Sequence, residues 1–312
     1  MNQFKIVPDL TKVIVSKTNS FTGHRDCVYA LAVSQGKYFF SSGGDGMIVS
    51  WNLDEPDKGE LLAQVPNSVY ALCYLEESQT LVVGQNFEGL QFVDVAEKRI
   101  SQSMKIPETS VFAIEKVNQH LLVGLKTGLV MIIEMKPIGP IKKLDYSKHS
   151  ARVIAINQST NEFAVGYSDH KIRIFDLEKF AFKKEIDAHA NSVFALRYSP
   201  DGKFLLSGGR DAHLKVWNTG KDYSLEESIV AHMYALNDLV FSPNGKHFVS
   251  CSMDKTIKVW DYSTFSLIKV IDKSRHAGHG TSINKLIWSP YSNQLISCSD
   301  DRTISLWDLE FS

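Results

Sequence analysis

The feature that most constrains this chain is a short residue pattern written seven times at intervals of roughly 42 residues. In its fullest form it reads His, then Ser about 18 residues on, then Asp, then Trp-Asp or Trp-Asn. The last two copies nearly superimpose: SPNGKHFVSCSMDKTIKVWD at 242–261 and SPYSNQLISCSDDRTISLWD at 289–308. Repetition at this period makes each copy one supersecondary unit that cannot bury its apolar face alone, so the copies must stack. From residue 11 onward one copy follows another with no linker between them, and the chain is read as a single domain, 1–312.

Within one copy, 189–230, the residues predict four strands. SVFALRYS (192–199) alternates and is rich in β-formers, PDGK (200–203) carries the residues of a tight hairpin, and KFLLSGG (203–209) and HLKVWNT (213–219) follow. SLEESIV (224–230) is a more polar fourth strand. A four-stranded antiparallel sheet has two faces to cover. Stacking the copies and closing them into a ring covers both and leaves only short edges.

Aligned on the Trp site, the copies give Trp51, Val93, Ile132, Phe175, Trp217, Trp260 and Trp307. Four copies hold the complete polar set: His24/Ser41/Asp45/Trp51, His189/Ser207/Asp211/Trp217, His232/Ser250/Asp254/Trp260 and His279/Ser297/Asp301/Trp307. The fourth copy is read as keeping His149 and Asp169, with Gly166 and Phe175 at the other two sites. The second and third copies lack the set and have shorter middle hairpins, with apolar Phe87, Leu129 and Met131.

On these residues the chain resembles the WD-repeat β-propeller family over 11–309, each copy bracketed by GH-like and WD-like dipeptides. The resemblance implies an all-β, seven-bladed propeller of four-stranded antiparallel blades. It also implies that His, Ser, Asp and Trp form a hydrogen-bonded chain inside a blade, where buried polar groups are satisfied as a set. A Ser-His-Asp catalytic triad is needed once, whereas this constellation recurs in four copies, so the structural reading is preferred. The sequence ends at LEFS directly after the seventh Trp-Asp, without an outer strand for that copy. The segment 13–21 (VIVSKTNSF) is therefore expected to complete blade seven.

The resemblance further implies that the loops entering the innermost strands crowd one mouth of the central channel. The second residue of each such strand is read as Tyr29, Tyr70, Phe112, Ile154, Phe194, Asn237 and Asn284. Tyr and Phe at a partly wet mouth suit peptide binding or the stacking of a guanidinium. Arg25, Arg152 and Arg210 accompany them, with Asp26, Asn67, Ser68, Asn191, Ser192 and Asp300. The loop DKSRHAGHGTS (272–282) is longer than its counterparts and is expected to form an enlarged rim loop that exposes Arg275 and His276. His276 and His279 have an H-x-x-H spacing, but no carboxylate or Cys cluster lies beside them, and no metal or cofactor is expected.

Composition narrows the partner class. The net charge of −1 gives a nucleic-acid role no whole-chain support. No run of 18 apolar residues and no signal-peptide pattern is present. Cys27, Cys73, Cys251 and Cys298 read as reduced thiols, which points to an intracellular, cytoplasmic setting and leaves a nuclear one open. SGGDG (42–46) lacks the Gly-Lys-Ser/Thr ending of a phosphate cradle, and Asn157-Gln158-Ser159 is a glycosylation sequon only if the chain is secreted. The expected function is a non-catalytic scaffold, a monomeric ring within a larger complex, that docks a protein or short peptide. The alternatives are a permanent structural subunit and a propeller-type hydrolase, for which Asn237, Asn284 and Asp238 are the available channel residues.

Overall fold

The computed structural model describes residues 12–106 and 108–311. Their strands form seven four-stranded antiparallel sheets. The innermost strands are Val28–Val33, Val69–Leu75, Val111–Val117, Ala151–Asn157, Val193–Tyr198, Leu236–Phe241 and Ile283–Trp288, and blades one to seven are numbered from them. Each apolar cluster of the core draws on two neighbouring blades. Phe21, Leu31 and Trp51 pack with Ile296 and Leu306 across the seam between blades seven and one. Cys251 and Cys298 are buried apolar residues of these clusters. The strands of a blade alternate apolar residues toward both neighbours, so a blade is stable only between two others.

Local chemistry fixes the hairpins. In blade five Gly202 sits at φ +70°, which a residue without Cβ adopts freely. Asp201 Oδ1 accepts from Ser199 Oγ at 2.7 Å and from Lys203 N at 3.2 Å. Ser242, Asn244 and Gly245 (φ +68°) repeat the device in blade six. In the fourth blade the sequon residue Asn157 is buried, its Nδ2 donating to Gly202 O at 3.4 Å.

Blade seven is completed as expected. Val13–Phe21 pairs antiparallel with Ile304–Phe311, in register from Val13↔Phe311 to Phe21↔Ile304 with a bulge between Lys17 and Asn19. Residues 1–11 lie outside the described part.

Two shifts of alignment emerge from the strand pairing. In blades one and five Ser41 and Ser207 pair with Leu31 and Leu196, and in blades six and seven Ser250 and Ser297 pair with Leu239 and Leu286. The matching residue of blade four, opposite Ile154, is Val165 rather than Gly166. The position four residues before the innermost strand, His24 and His189 elsewhere, is Ser147 in this blade, while His149 is exposed. In blade three the residue opposite Leu121, equivalent to Trp51 opposite Phe39, is Ile133 rather than Ile132. Copies without their polar markers slide by a residue or two when aligned on sequence alone.

Candidate functional site at the channel mouth

The four polar sets are complete hydrogen-bonded chains. In blade five Trp217 Nε1 donates to Ser207 Oγ at 2.8 Å, the Ser hydroxyl lies 2.8 Å from His189 Nε2, and His189 Nδ1 lies 3.0 Å from Asp211 Oδ1. Asp211 also accepts from Ala190 N at 2.8 Å. Every donor has a consistent acceptor if the imidazole proton sits on Nδ1.

Blades one, six and seven repeat the arrangement. In blade one Ser41 Oγ lies 2.7 Å from both Trp51 Nε1 and His24 Nε2, and His24 Nδ1 is 3.0 Å from Asp45 Oδ2. In blade six Ser250 Oγ accepts from Trp260 Nε1 at 2.9 Å and lies 2.8 Å from His232 Nε2, whose Nδ1 is 2.9 Å from Asp254 Oδ2. In blade seven Ser297 Oγ accepts from Trp307 Nε1 at 2.9 Å and lies 2.8 Å from His279 Nε2, whose Nδ1 is 3.0 Å from Asp301 Oδ2. Ser41, Ser207, Ser250 and Ser297 are each 0% exposed, so none of these hydroxyls can meet a ligand or act as a nucleophile.

Burial holds His189 and His232 below the ordinary imidazole range, against the pull of Asp211 and Asp254. Burial, the largest influence on Asp211, Asp254 and Asp301, raises their pKa, but the His and backbone donors outweigh it and hold all three well below the carboxylate range. These side chains are consumed in joining loop, turn and strand, and none is presented to a ligand.

Blade four substitutes a different network. Arg173, buried, places Nη2 2.9 Å from both Asp169 Oδ2 and Glu185 Oε2, and its guanidinium lies 4.6 Å from the Tyr167 ring centroid. Ser147 Oγ donates to Asp169 Oδ2 at 2.7 Å. An ion pair does there what the imidazole does in blades one, five, six and seven.

The channel mouth is built by a β-bulge repeated in all seven innermost strands. In blade one Val28 pairs with Gly43 and Ala30 with Ser42, leaving Tyr29 unpaired between them. The same step isolates Tyr70, Phe112, Phe194, Asn237 and Asn284. A bulge turns its extra side chain away from the sheet's alternation, here toward the mouth. In blade four the bulged residue is Arg152, between Ala151↔Tyr167 and Val153↔Gly166. Ile154, expected at this site, lies two positions on and is only 1% exposed in the core.

The seven bulge residues divide into two arcs. Tyr29 and Tyr70 have ring centroids 4.9 Å apart, Tyr70 and Phe112 5.6 Å apart, each pair tilted by about 45°. Arg152 continues the arc, its guanidinium carbon 4.2 Å from the Phe112 centroid and 5.4 Å from that of Phe194. On the other arc the amides are spent on closure. Asn237 Nδ2 donates to Ile283 O at 2.8 Å, and Asn284 Nδ2 donates to Val28 O at 2.9 Å and Asp300 Oδ1 at 2.8 Å. The aromatic arc encloses a recess of about 720 Å³ that Ser68, Asn86, Phe87, Lys126 and Lys285 also line.

Below the mouth the channel carries four charges that balance. Buried Asp238 lies 3.3 Å from Lys285 Nζ and 3.9 Å from Arg197, and Glu115 lies 3.9 Å from Arg197. Asp238 Oδ2 also accepts from Leu286 N at 3.1 Å. The three channel residues considered for hydrolysis are thus engaged in joining blades.

The remaining expected contacts fall elsewhere. Arg25 and Arg210 are exposed and stand outside the lining of the recess, Arg210 near enough to Arg152 to act on its charge. Arg275 stands on a one-turn helix, Lys273–His276, next to the outer strand of blade seven, and its Nη2 is 2.6 Å from Asp272 Oδ2. The enlarged loop therefore faces the outer edge of the ring, and His276 is half-buried rather than exposed. Met131 is buried in the core and Leu129 packs on it, so of the three apolar residues noted in blades two and three only Phe87 is exposed. Sequence reading passed over Met233, Tyr234 and Met253, which are 81%, 61% and 50% exposed on neighbouring loops of blade six. The available signal was the pair after His232, Met-Tyr, where other copies have Arg25-Asp26, Ala190-Asn191 and Gly280-Thr281. Among the described residues no group of three His, Cys, Asp or Glu side chains is gathered as a metal site would require.

A ring of seven four-stranded blades, pinned by buried His-Ser-Asp-Trp chains and closed by its own N-terminal strand, defines the class: a β-propeller built from sequence repeats. The model of the WD domain, G-beta repeat, matches residues 15–52, 180–218, 224–261 and 272–308, and the chain belongs to the WD-repeat family. It is 23% identical over 220 residues to the mouse periodic tryptophan protein 2 homolog, covering 64% of this chain and 24% of that protein. To human striatin it is 24% identical over 244 residues, covering 70% and 31%. The chain thus matches about a quarter to a third of the length of these relatives. The crystal structure of the WD40 β-propeller domain of Doa1 superposes with a TM-score of 0.83 at 17% identity, covering 94% of this chain and 97% of that one, a likeness of fold.

Proposed function

We propose that this propeller is a non-catalytic scaffold that docks a protein or short peptide on the mouth of its channel. The observation that carries this reading is the arc Tyr29–Tyr70–Phe112–Arg152–Phe194. Its rings are half-exposed around an open recess, whereas the neighbouring core positions are filled by fully buried aliphatic residues. Aromatic and Arg side chains in such a recess are the usual carriers of binding energy. The four cysteines are unpaired, which supports a reducing, cytoplasmic setting. Affinity capture from the native cell, with wild type beside the Tyr70→Ala/Phe112→Ala double variant, tests the site. Partners present with wild type and lost from the variant are expected; identical sets from both baits would move the docking site elsewhere on the ring.

A second reading, a permanent subunit of an assembly, draws on the exposed Met233, Tyr234 and Met253. Side chains of this kind on adjacent loops mark an interface that is covered in the working state. Ultracentrifugation of the isolated chain separates the two: a stable monomer at high concentration speaks against a permanent interface.

A further inference from the structure

We infer that the segment seated on the mouth is an acidic peptide, with an Asp or Glu carboxylate on Arg152 and an apolar neighbour on Tyr70 and Phe112. This rests on the docking site proposed above and names its partner's chemistry. Charge accounting around the channel carries it. Inside the channel, two carboxylates (Glu115, Asp238) face two cations (Arg197, Lys285). The side chains lining the recess add Arg152 and Lys126, and the carboxylate at its edge, Asp300, is already engaged by Asn284 Nδ2 at 2.8 Å. Arg152 has its Nε committed to Ser168 Oγ at 3.0 Å, and among the described residues it has no ion-pair partner.

The guanidinium is desolvated by Phe112 and Phe194 and faces the like charge of Arg210, conditions that hold its pKa down. A stripped cation with free terminal N–H groups gains most from a carboxylate, which accepts both in a forked geometry. Stacking on the rings keeps the fork in place before the ligand arrives. Stacked rings beside cations also suit single-stranded nucleic acid. Yet Asp300 stands at the edge of the mouth, bonded to Asn284, and the chain carries a net charge of −1. A phosphate backbone needs a continuous basic track, so the peptide is favoured.

The test uses the full chain as bait for a phage library of random nine-residue peptides, followed by fluorescence titration of the selected peptides in low and high salt. The expected consensus holds an Asp or Glu beside an aromatic or branched aliphatic residue. Exchanging that acid for its amide should weaken binding to wild type on the order of tenfold or more. Arg152→Gln should weaken the acidic peptide equally and make the amide exchange silent. The peptide-side exchange needs no variant protein, so the inference stays testable if Arg152→Gln misfolds. Selected peptides that bind through Tyr70 and Phe112 without an acid, or an amide exchange that changes nothing, would overturn the inference and leave the docking site standing. Peptides indifferent to Tyr70→Ala and Phe112→Ala, or no enrichment at all, would overturn both. Tighter binding of a fluorescein-labelled octauridylate than of any peptide would replace the peptide by nucleic acid.

Discussion

Val13 and Phe311 face each other at one end of the antiparallel seam that closes the ring. The strand between Val13 and Phe21 buries both of its end residues, and it covers the edge of blade seven beside Trp307, over whose ring Lys17 Nζ lies at 5.8 Å. Burying the two apolar side chains is worth about 2 kcal/mol each, before any ladder hydrogen bond is counted. Deletion of residues 1–21 is expected to leave no soluble folded protein. A truncated chain with a cooperative thermal transition near that of wild type would refute the closure.

Ser207→Ala should cost about 2–4 kcal/mol, because it leaves the Trp217 indole N–H and the His189 ring nitrogen buried without a partner. Trp217→Phe removes one of those two groups, so the double variant should be less destabilised than the sum of the two. Urea titration of the four proteins in a mutant cycle measures that coupling.

The blade-four ion network makes an opposite demand. Asp169→Asn leaves Arg173 buried with Glu185 alone and should cost about 3 kcal/mol. Arg173→Met removes the charge that needs company and should cost less. A larger loss for Arg173→Met than for Asp169→Asn, by thermal melts at one pH, would contradict this account.

Acid should loosen the ring in two stages. His189 and His232 are held below 6.5 in the fold, so the unfolded chain takes up their protons first as pH falls. Stability present above pH 6.5 is then lost on going down, at most about 1.4 kcal/mol per group for each pH unit in that window. Asp211, Asp254 and Asp301, also held low, add a second loss below about pH 4. Melting temperatures should fall on going below pH 6.5 and fall again below about pH 4, and the upper stage should shrink in His189→Gln. A flat profile from pH 7 to 5 would contradict the assignment.

Much of the architecture was legible because the repeat encodes it locally. Turn residues such as Asp201-Gly202, strand alternation and the four polar sets each declare themselves within a couple of dozen residues of sequence. In the last two copies Ser250 and Ser297 stand in the same S-C-S setting, and both fall where the repeat places them, between a His and a Trp. The segment 13–21 was readable for the same reason, since it is a strand without a partner in its own copy. Alignment failed where those markers vanish. Ile154 was placed at the mouth and His149 in the polar set because the fourth copy lacks the landmarks that set the phase.

The sequence by itself determined the number of blades, their strand order, the closure of the ring and the polar residues that pin four of the blades. These follow from patterns of neighbouring residues repeated along the chain. Only the tertiary structure decided which side chains face the channel. A β-bulge inserts one residue into a strand whose side chains alternate, and a shift of one position reverses the face on which a residue lies. That step brought Arg152 between Phe112 and Phe194 and sent Ile154 into the core, and the ion pairs of Arg173 with Asp169 and Glu185 are likewise contacts that local pattern does not specify.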